Sequence, residues 1–432
     1  MPIMLIHNAL INGTERGWVA VEPPFIARMG LGDAPQAEVD SADEVVDAQG
    51  ALLLPGAIDA HVHFREPGLT HKASIASESR AALAGGVTSI IEMPNTKPPT
   101  VTIDDWRDKM DRAAARSAVN YAFMMGATAD NLAELRSADP SMMPAVKVFM
   151  GSSTGNMLLD DDSALRAVFA DQPFPIVVHA EDQSIVRNNE IIFRNRPGAG
   201  DIALHSLIRP AEACVRATER AMELAIRYNA RLHVAHVTTE AETRLFEPSQ
   251  SPDGKQITGE VSPHHLTFTA DDYPRLGARI KMNPSVKSAA DRDALRQAVA
   301  DGRLDIIATD HAPHLLSEKE GDVWHAVSGA PMVQFSMPLM LDLFGPELTV
   351  ARMCKGPAIA FGIDRRGSIA PGYYADLVLA ERLTSPRIVS DDDVVSLCAW
   401  TPLAGRPLSH RIIRAWVNGG DAAMPLQFAR IS

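Results

Sequence analysis

The chain has 432 residues, of which 46% are hydrophobic and 22% are charged, and its formal charge is −13. This composition is typical of a globular protein with a large core, and the length allows a β/α barrel of about 250 residues beside a smaller domain. The acidic balance excludes broad contact with nucleic acid or an anionic membrane, because both need a basic surface.

The cysteines and the first residues of the chain indicate the cellular compartment of the protein. Cys214, Cys354 and Cys398 are odd in number and widely spaced, so they predict neither a disulfide framework nor a CxxC zinc site. Residues 1–18 lack the basic and long apolar stretches of a secretory signal, and no apolar run is long enough to span a bilayer. We therefore expect a cytoplasmic protein without a membrane partner.

The two ends of the chain share a pattern of short strands and turns. Apolar runs of three or four residues recur within residues 1–54, and the same texture returns after about residue 365. We expect segments 1–54 and 365–432 to fold together into one small β-sandwich domain. This domain would lie beside a central domain of residues 55–364.

The central segment alternates short apolar runs with helical stretches, which is the rhythm of βα units and a parallel sheet. Eight apolar runs cover residues 56–64, 87–93, 120–125, 145–150, 175–179, 232–237, 256–262 and 305–309. The helical stretches include residues 72–84, 211–228 and 289–300. Eight strand–helix units predict an α/β fold, a closed (β/α)8 barrel of the TIM type.

Polar residues interrupt these runs near their carboxyl ends, where barrel enzymes place their chemistry. The first run contains His-Val-His, and residues two apart in a strand point the same way, so both imidazoles project together. The fourth run carries a lysine in an apolar strand, and three later runs end beside a histidine or an aspartate. The six groups are His61, His63, Lys147, His179, His236 and Asp310.

Each of these groups has a structural alternative when taken singly. Alternating histidines also occur on exposed strands, a strand lysine usually extends to solvent, and a lone buried histidine is usually hydrogen-bonded in the core. Six metal-capable groups at the same end of one barrel favour a metal centre over six unrelated roles. Imidazole and carboxylate ligands suit Zn²⁺.

This pattern resembles the binuclear branch of the amidohydrolase superfamily. The resemblance implies that Lys147 is carboxylated by CO₂ and that this N6-carboxylysine bridges two Zn²⁺ ions. It also implies that His61, His63 and Asp310 hold one ion, and that His179 and His236 hold the other. Burial is compatible with such a lysine, because desolvation favours the neutral amine that reacts with CO₂.

Three further segments are similar to those of the dihydroorotases within that superfamily. They are His-Phe-Arg-Glu-Pro-Gly at 63–68, Glu-Met-Pro-Asn-Thr at 92–96 and Asp-His-Ala-Pro-His at 310–314. The resemblance implies that Arg65, Asn95 and His314 bind a substrate carboxylate. An arginine fork matches a carboxylate in bidentate fashion, although a surface salt bridge with Glu66 is the alternative for Arg65.

Several positions stay open from the sequence. Asn283 resembles a family position near the ligand, but Asn-Pro is equally a turn signal. The loop 151–156 contains Thr154 and could close over a substrate, yet its Ser, Gly and Asn residues also simply make turns. His264 and His265 can act behind the ligands or be structural. His233 faces away from His236 in a strand, so we expect a structural role for it.

The resemblance covers essentially the whole chain and implies a dihydroorotase. Such an enzyme would cyclise N-carbamoyl-L-aspartate reversibly to L-dihydroorotate, with Asp310 as the residue that transfers the proton. One alternative is another cyclic amidohydrolase, such as a hydantoinase or allantoinase, which would lack Arg65, Asn95 and His314 as a set. Another is a dihydroorotase-like scaffold without activity, which would lack metal ligands. The expected partners are a small-molecule substrate and, in a homodimer, a second copy of the chain.

Overall fold

The computed structural model describes residues 3–151, 157–159, 161–170, 173–420 and 422–429. The strands are β1 (Met4–Ile11), β2 (Glu15–Glu22), β3 (Phe25–Leu31), β4 (Glu44–Asp47), β5 (Leu52–Pro55), β6 (Ala57–Val62), β7 (Val87–Glu92), β8 (Asn120–Phe123), β9 (Met125–Gly126), β10 (Val146–Phe149), β11 (Ile176–His179), β12 (Leu232–Val234), β13 (Ile257–Val261), β14 (Ile306–Ile307), β15 (Leu377–Ile388) and β16 (Pro407–Trp416). The predicted lid residue Thr154 lies outside the described ranges.

The α-helices of the described ranges mostly follow barrel strands, except α1, which lies between β3 and β4. They are α1 (Gln36–Ser41), α2 (Ile75–Ala84), α3 (Ile103–Arg116), α4 (Leu132–Ser137), α5 (Asp162–Ala170), α6 (Gln183–Arg194), α7 (Leu204–Ile208), α8 (Ala211–Tyr228), α9 (Glu240–Thr243), α10 (Tyr273–Leu276), α11 (Ala289–Asp301), α12 (Val333–Val350) and α13 (Gly356–Phe361). Within the described ranges, none of these helices is long and apolar enough to cross a membrane.

The eight predicted apolar runs form the strands of the barrel, which confirms the fold. β6, β7 and β8 pair in parallel, and β9 to β14 form a second parallel series. The third run is divided: β8 pairs with β7, whereas β9 pairs with β10. The barrel closes where the His63 amide donates to the His311 carbonyl over 2.8 Å and Val62 forms a parallel bridge with His311.

The barrel strands are buried along almost their whole length. Each residue of β6, β7, β10 and β11 is buried, because side chains fill the interior and helices cover the outside. The helices supply apolar stripes at helical spacing. In α8 the buried positions include Ala213, Ala217, Ala221 and Ala225, four residues apart, and small side chains let the helix lie close to the sheet.

Both chain ends contribute to one further sheet, as expected for a β domain built from them. Its order is β16-β15-β5-β1-β2-β3, with β4 also paired to β1. β15 runs antiparallel to both β5 and β16, so the C-terminal segment lies against the strand that leads into the barrel. The boundaries at residues 54 and 364 stay a prediction.

Candidate active site

A pocket opens at the carboxyl ends of the barrel strands. Its empty space, including the part of the mouth that is open to solvent, is about 490 Å³. The six predicted metal-capable groups all line it, together with three of the four predicted substrate-binding residues. The full lining is His61, His63, Arg65, Asn95, Lys147, Phe149, His179, His236, Asn283, Asp310, Ala312, Ser328 and Gly329.

His61, His63 and Asp310 converge on one point, with ligand atoms within 4.8 Å of one another. His61 Nδ1 lies 2.5 Å from Glu260 Oε1, and His63 Nδ1 lies 2.7 Å from Asn95 Oδ1. Both Nδ1 atoms therefore donate to oxygen, which leaves each Nε2 as a lone pair. These lone pairs face Asp310 Oδ1 at 3.3 and 3.1 Å. Three converging acceptors repel one another unless a cation lies between them, so the group fits a metal ion.

Lys147 lies beside this group, on β10. Its side chain is fully buried, and Nζ has no hydrogen-bond partner among the described residues. Burial lowers the pKa of Lys147 to about 8, although Glu260 and Asp310 oppose that shift. An unpaired buried ammonium is costly, so the position suits an amine that is neutral or converted to an anionic carbamate.

His179 and His236 line the pocket side by side, with their rings in contact. His179 Nδ1 lies 2.9 Å from His236 Nε2, and His179 Nε2 donates to Glu181 Oε2 over 2.9 Å. Since Glu181 takes the proton-bearing nitrogen of His179, the other nitrogen presents its lone pair to the pocket. Burial lowers the pKa of His179, and it lowers that of His236 well below the usual range. Both rings are therefore neutral, as metal ligands must be.

The electrostatics of the first group agree with this assignment. Burial is the main cause that lowers the pKa of His63, to about 4. Burial opposes the ionisation of Asp310, but His61 and His63 outweigh it and hold the pKa of that carboxyl well below its usual range. At neutral pH His63 is therefore neutral and Asp310 is ionised, and an imidazole and a carboxylate are ligands that suit Zn²⁺.

Three residues of the pocket have left-handed backbone conformations. The φ angles are 67° at Arg65, 39° at His236 and 46° at Asp310. Such conformations cost roughly 1–3 kcal/mol each for residues with a side chain and concentrate at functional sites. Each of the three residues lies two or three positions after the end of its barrel strand, and the left-handed conformation turns its side chain into the pocket.

The predicted substrate-binding residues do not all occupy equivalent places. Arg65 is buried, and its Nε donates to the Pro313 carbonyl over 3.1 Å. Asn95 accepts from His63 while lining the pocket. Asn283 also lines the pocket, and its Oδ1 lacks a hydrogen-bond partner in the described part of the chain, which favours a ligand role over a turn alone.

His314 does not line the pocket but lies directly behind Arg65. Its Nε2 is 3.0 Å from Arg65 NH2, and its Nδ1 is 3.1 Å from Lys72 Nζ. A direct contact between His314 and substrate therefore stays a prediction. The structure shows contact with the arginine that lines the pocket.

Sequence reasoning missed two acidic residues that orient the histidines. Glu260 on β13 contacts His61 and, over 3.0 Å, His233 Nε2. Glu181 contacts His179 and the guanidinium of Arg209. The signal was present in both cases, because Glu260 is a charged residue in a buried strand and Glu181 follows His179 with the same two-residue spacing as the first histidine pair.

The other histidines lie outside the pocket lining. His233 is held by Thr258 Oγ1 at 2.8 Å and by Glu260, in agreement with the expected structural role. His265 Nε2 donates to the Pro284 carbonyl over 3.0 Å. Neither ring nitrogen of His264 has a hydrogen-bond partner within the described ranges. His205 is buried, and its Nε2 donates to the Met282 carbonyl over 2.7 Å.

Comparisons with known proteins agree with this geometry. The model of the amidohydrolase family matches residues 52–405. A dihydroorotase of Halobacterium salinarum is 40% identical over 363 residues, 82% of each chain. A dihydroorotase of Methanosarcina acetivorans is 34% identical over 426 residues, which cover 94% of this chain and 89% of the relative.

Among solved structures, an L-hydantoinase (dihydropyrimidinase) from Arthrobacter aurescens is similar over 99% of this chain and 98% of its own, with a TM-score of 0.90 and 28% identity. A dihydropyrimidinase from Brevibacillus agri has a TM-score of 0.85 at 22% identity, which shows the shared fold. The chain therefore belongs to the amidohydrolase family, to the dihydroorotases within it, and is a cyclic amide hydrolase.

Proposed function

We propose that this enzyme interconverts N-carbamoyl-L-aspartate and L-dihydroorotate, the dihydroorotase step of pyrimidine (UMP) biosynthesis. The observation that carries the proposal is a buried arginine, Arg65, in the same pocket as the converging His61, His63 and Asp310. A buried cation beside a hydrolytic centre selects a ring that carries a carboxylate. The dihydroorotase relatives support the same substrate.

The binding role of Arg65 follows from its donors. Burial lowers the pKa of Arg65 to about 10, so the guanidinium is still charged at neutral pH. A guanidinium has five N–H donors, more than its contacts with Pro313 and His314 use, and donors remain for a carboxylate. The Nδ2 group of Asn95 adds a neutral donor, because its Oδ1 already accepts from His63.

We propose that the pocket holds two divalent metal ions, Zn²⁺ by ligand type. His61, His63 and Asp310 would hold one, His179 and His236 the other, and a carboxylated Lys147 would bridge them. When bound, these ions supply Lewis-acid activation of the ring amide and of water.

In the opening direction, Asp310 accepts the proton of the attacking water at a carboxylate oxygen and delivers it to the leaving ring nitrogen. Arg65 and Asn95 hold the substrate carboxylate meanwhile, which fixes the amide over the centre. In the closing direction the same steps reverse, and N-carbamoyl-L-aspartate takes up a proton as the ring forms. Acid should therefore favour the ring, and alkali the open chain.

The test is a substrate panel on protein of known metal content, with L-dihydroorotate, hydantoin, dihydrouracil and allantoin. Preferential opening of L-dihydroorotate is the expected result. Activity on the uncarboxylated rings alone would instead favour a hydantoinase, the rival that the likeness to L-hydantoinase supports. If protein with two bound metal ions opens none of the four rings, the result would favour the non-catalytic scaffold.

The bridging lysine has its own test. The Lys147→Ala enzyme should bind less zinc per chain than the unmodified enzyme, because the substitution removes a ligand that the two ions would share. Lys97→Ala, at an exposed lysine, is the matched control and should bind both ions. Equal zinc content in the two variants would contradict the bridge.

Location in the cytoplasm and a homodimer stay predictions. Light scattering on the purified protein would test the second.

A further inference from the structure

Two buried cationic residues and one half-buried acidic residue surround His314, behind the pocket. Lys72 Nζ lies 3.1 Å from His314 Nδ1 and 2.6 Å from Glu318 Oε1. On the other side of the ring, Arg65 NH2 lies 3.0 Å from His314 Nε2. Lys72 and His314 are both buried, and neither lines the pocket. None of these contacts involves a proposed metal ligand.

The ring between these two cations is neutral. Burial and the charges of Arg65 and Lys72 hold the pKa of His314 well below its usual range. A neutral imidazole has one N–H and one lone pair. Both cationic neighbours present only N–H groups, so one of the two ring contacts is a hydrogen bond and the other places two donors against each other.

The surroundings decide which contact is the hydrogen bond. If Nδ1 carried the proton, its N–H would point at the Lys72 ammonium, which Glu318 holds in place from a site away from the pocket. Glu318 Oε2 is 3.6 Å from Nδ1, beyond hydrogen-bond range, and it already accepts from the Leu315 amide over 2.9 Å. The repulsion between Nδ1–H and the Lys72 ammonium would persist whether or not a ligand is bound.

If Nε2 carries the proton, the two donors that face each other are Nε2–H and the NH2 group of Arg65, which lines the pocket. Lys72 then donates to the Nδ1 lone pair, and the two facing donors at Nε2 and Arg65 NH2 can share an acceptor that enters from the pocket. A carboxylate oxygen is such an acceptor, because it accepts several hydrogen bonds at once. An arriving anion thus removes a repulsion as well as making contacts.

We propose that Lys72 is a positioning residue that holds His314 in the tautomer with a proton on Nε2, so that His314 and Arg65 form a paired donor site for the substrate carboxylate. The inference rests on the proposed function for the identity of the anion. The tautomer itself is a property of the ligand-free enzyme.

The first measurement is nitrogen-15 NMR of the histidine rings in the zinc-loaded enzyme, since protonated and unprotonated ring nitrogens have distinct shifts. The His314→Asn spectrum identifies the signals of His314. We expect a protonated Nε2 and an unprotonated Nδ1, and the reverse pattern would overturn the proposal without any lysine variant. This readout does not depend on activity, so it is separate from a failure of the proposed function, which the substrate panel would reveal.

The second measurement compares Lys72→Met with Lys72→Arg, and with Lys97→Met as an exposed-lysine control. In Lys72→Met we expect loss of the single Nε2–H tautomer and a KM for L-dihydroorotate raised about tenfold, as for one lost hydrogen bond to a charged group, with kcat nearly unchanged. Lys72→Arg keeps a donor and should restore both properties. An unchanged tautomer and KM in Lys72→Met would refute the positioning role, as would a fall in kcat alone.

Discussion

Glu260→Gln is the substitution that most directly tests how the metal ligands are oriented. The Glu260 carboxylate is fully buried and accepts from three donors: His61 Nδ1 at 2.5 Å, His233 Nε2 at 3.0 Å and the His236 amide at 3.2 Å. Burial opposes its charge, but His61 and His233 outweigh burial and lower the pKa of Glu260. Glutamine has the same shape but only one accepting oxygen.

The size of the effect follows from these contacts. Oε1 serves His61 and the His236 amide, whereas Oε2 serves His233, so the amide group of glutamine must face at least one histidine N–H. If it faces His61, that ring loses the acceptor that fixes its tautomer, and residues behind a metal ligand typically contribute 10–100-fold to metal affinity. This range corresponds to about 1.4–2.7 kcal/mol. If it faces His233, the metal affinity changes less and the cost falls on stability, about 1–3 kcal/mol for an unsatisfied buried group.

The assay is zinc binding in competition with a chelator, followed by urea unfolding of the metal-free protein. We expect Glu260→Gln to weaken zinc binding by at least tenfold or to lower the free energy of unfolding by at least about 1 kcal/mol. Glu223→Gln, at an exposed glutamate of α8, should change neither. A Glu260→Gln protein that equals the unmodified one in both measurements would refute the reasoning.

Three further outcomes are expected. Arg65→Met should lower kcat/KM for L-dihydroorotate by about thirtyfold or more, because it removes a desolvated charge partner worth about 2–5 kcal/mol. Atomic absorption should find its zinc content unchanged, and loss of zinc would instead place Arg65 in the metal site. Asp310→Asn should abolish ring opening in a spectrophotometric assay, and near-normal turnover would remove its proton-transfer role. Alkylation of the native protein with iodoacetamide at pH 8 should be slow at all three cysteines, because they are buried and burial raises the pKa of Cys214 to about 12 and of Cys398 to about 11. Mass spectrometry should show full labelling only after unfolding. Rapid labelling of Cys214, Cys354 or Cys398 in the native protein would contradict their burial.

Much of the candidate site could be predicted because its signal is local. His61 and His63 alternate on one strand, and Lys147 is a charged residue in an apolar run, so each is visible within a few residues of sequence. The barrel follows from the same alternation of apolar runs and helical stretches. The division of the third strand between β8 and β9 was not visible, since the pairing partner changes within a single apolar run.

The sequence by itself determined the fold class and the set of polar groups at the strand ends, because burial forces apolar runs and leaves polar exceptions conspicuous. Only the tertiary structure decided what each group touches. Glu260 reaches His61 across 199 residues of chain, and Lys72 reaches His314 across 242. No local pattern encodes such distances, because they depend on closure of the barrel. The same closure placed His314 behind Arg65, so its proposed role depends on a tautomer in which Nε2 and Arg65 NH2 donate to the same carboxylate.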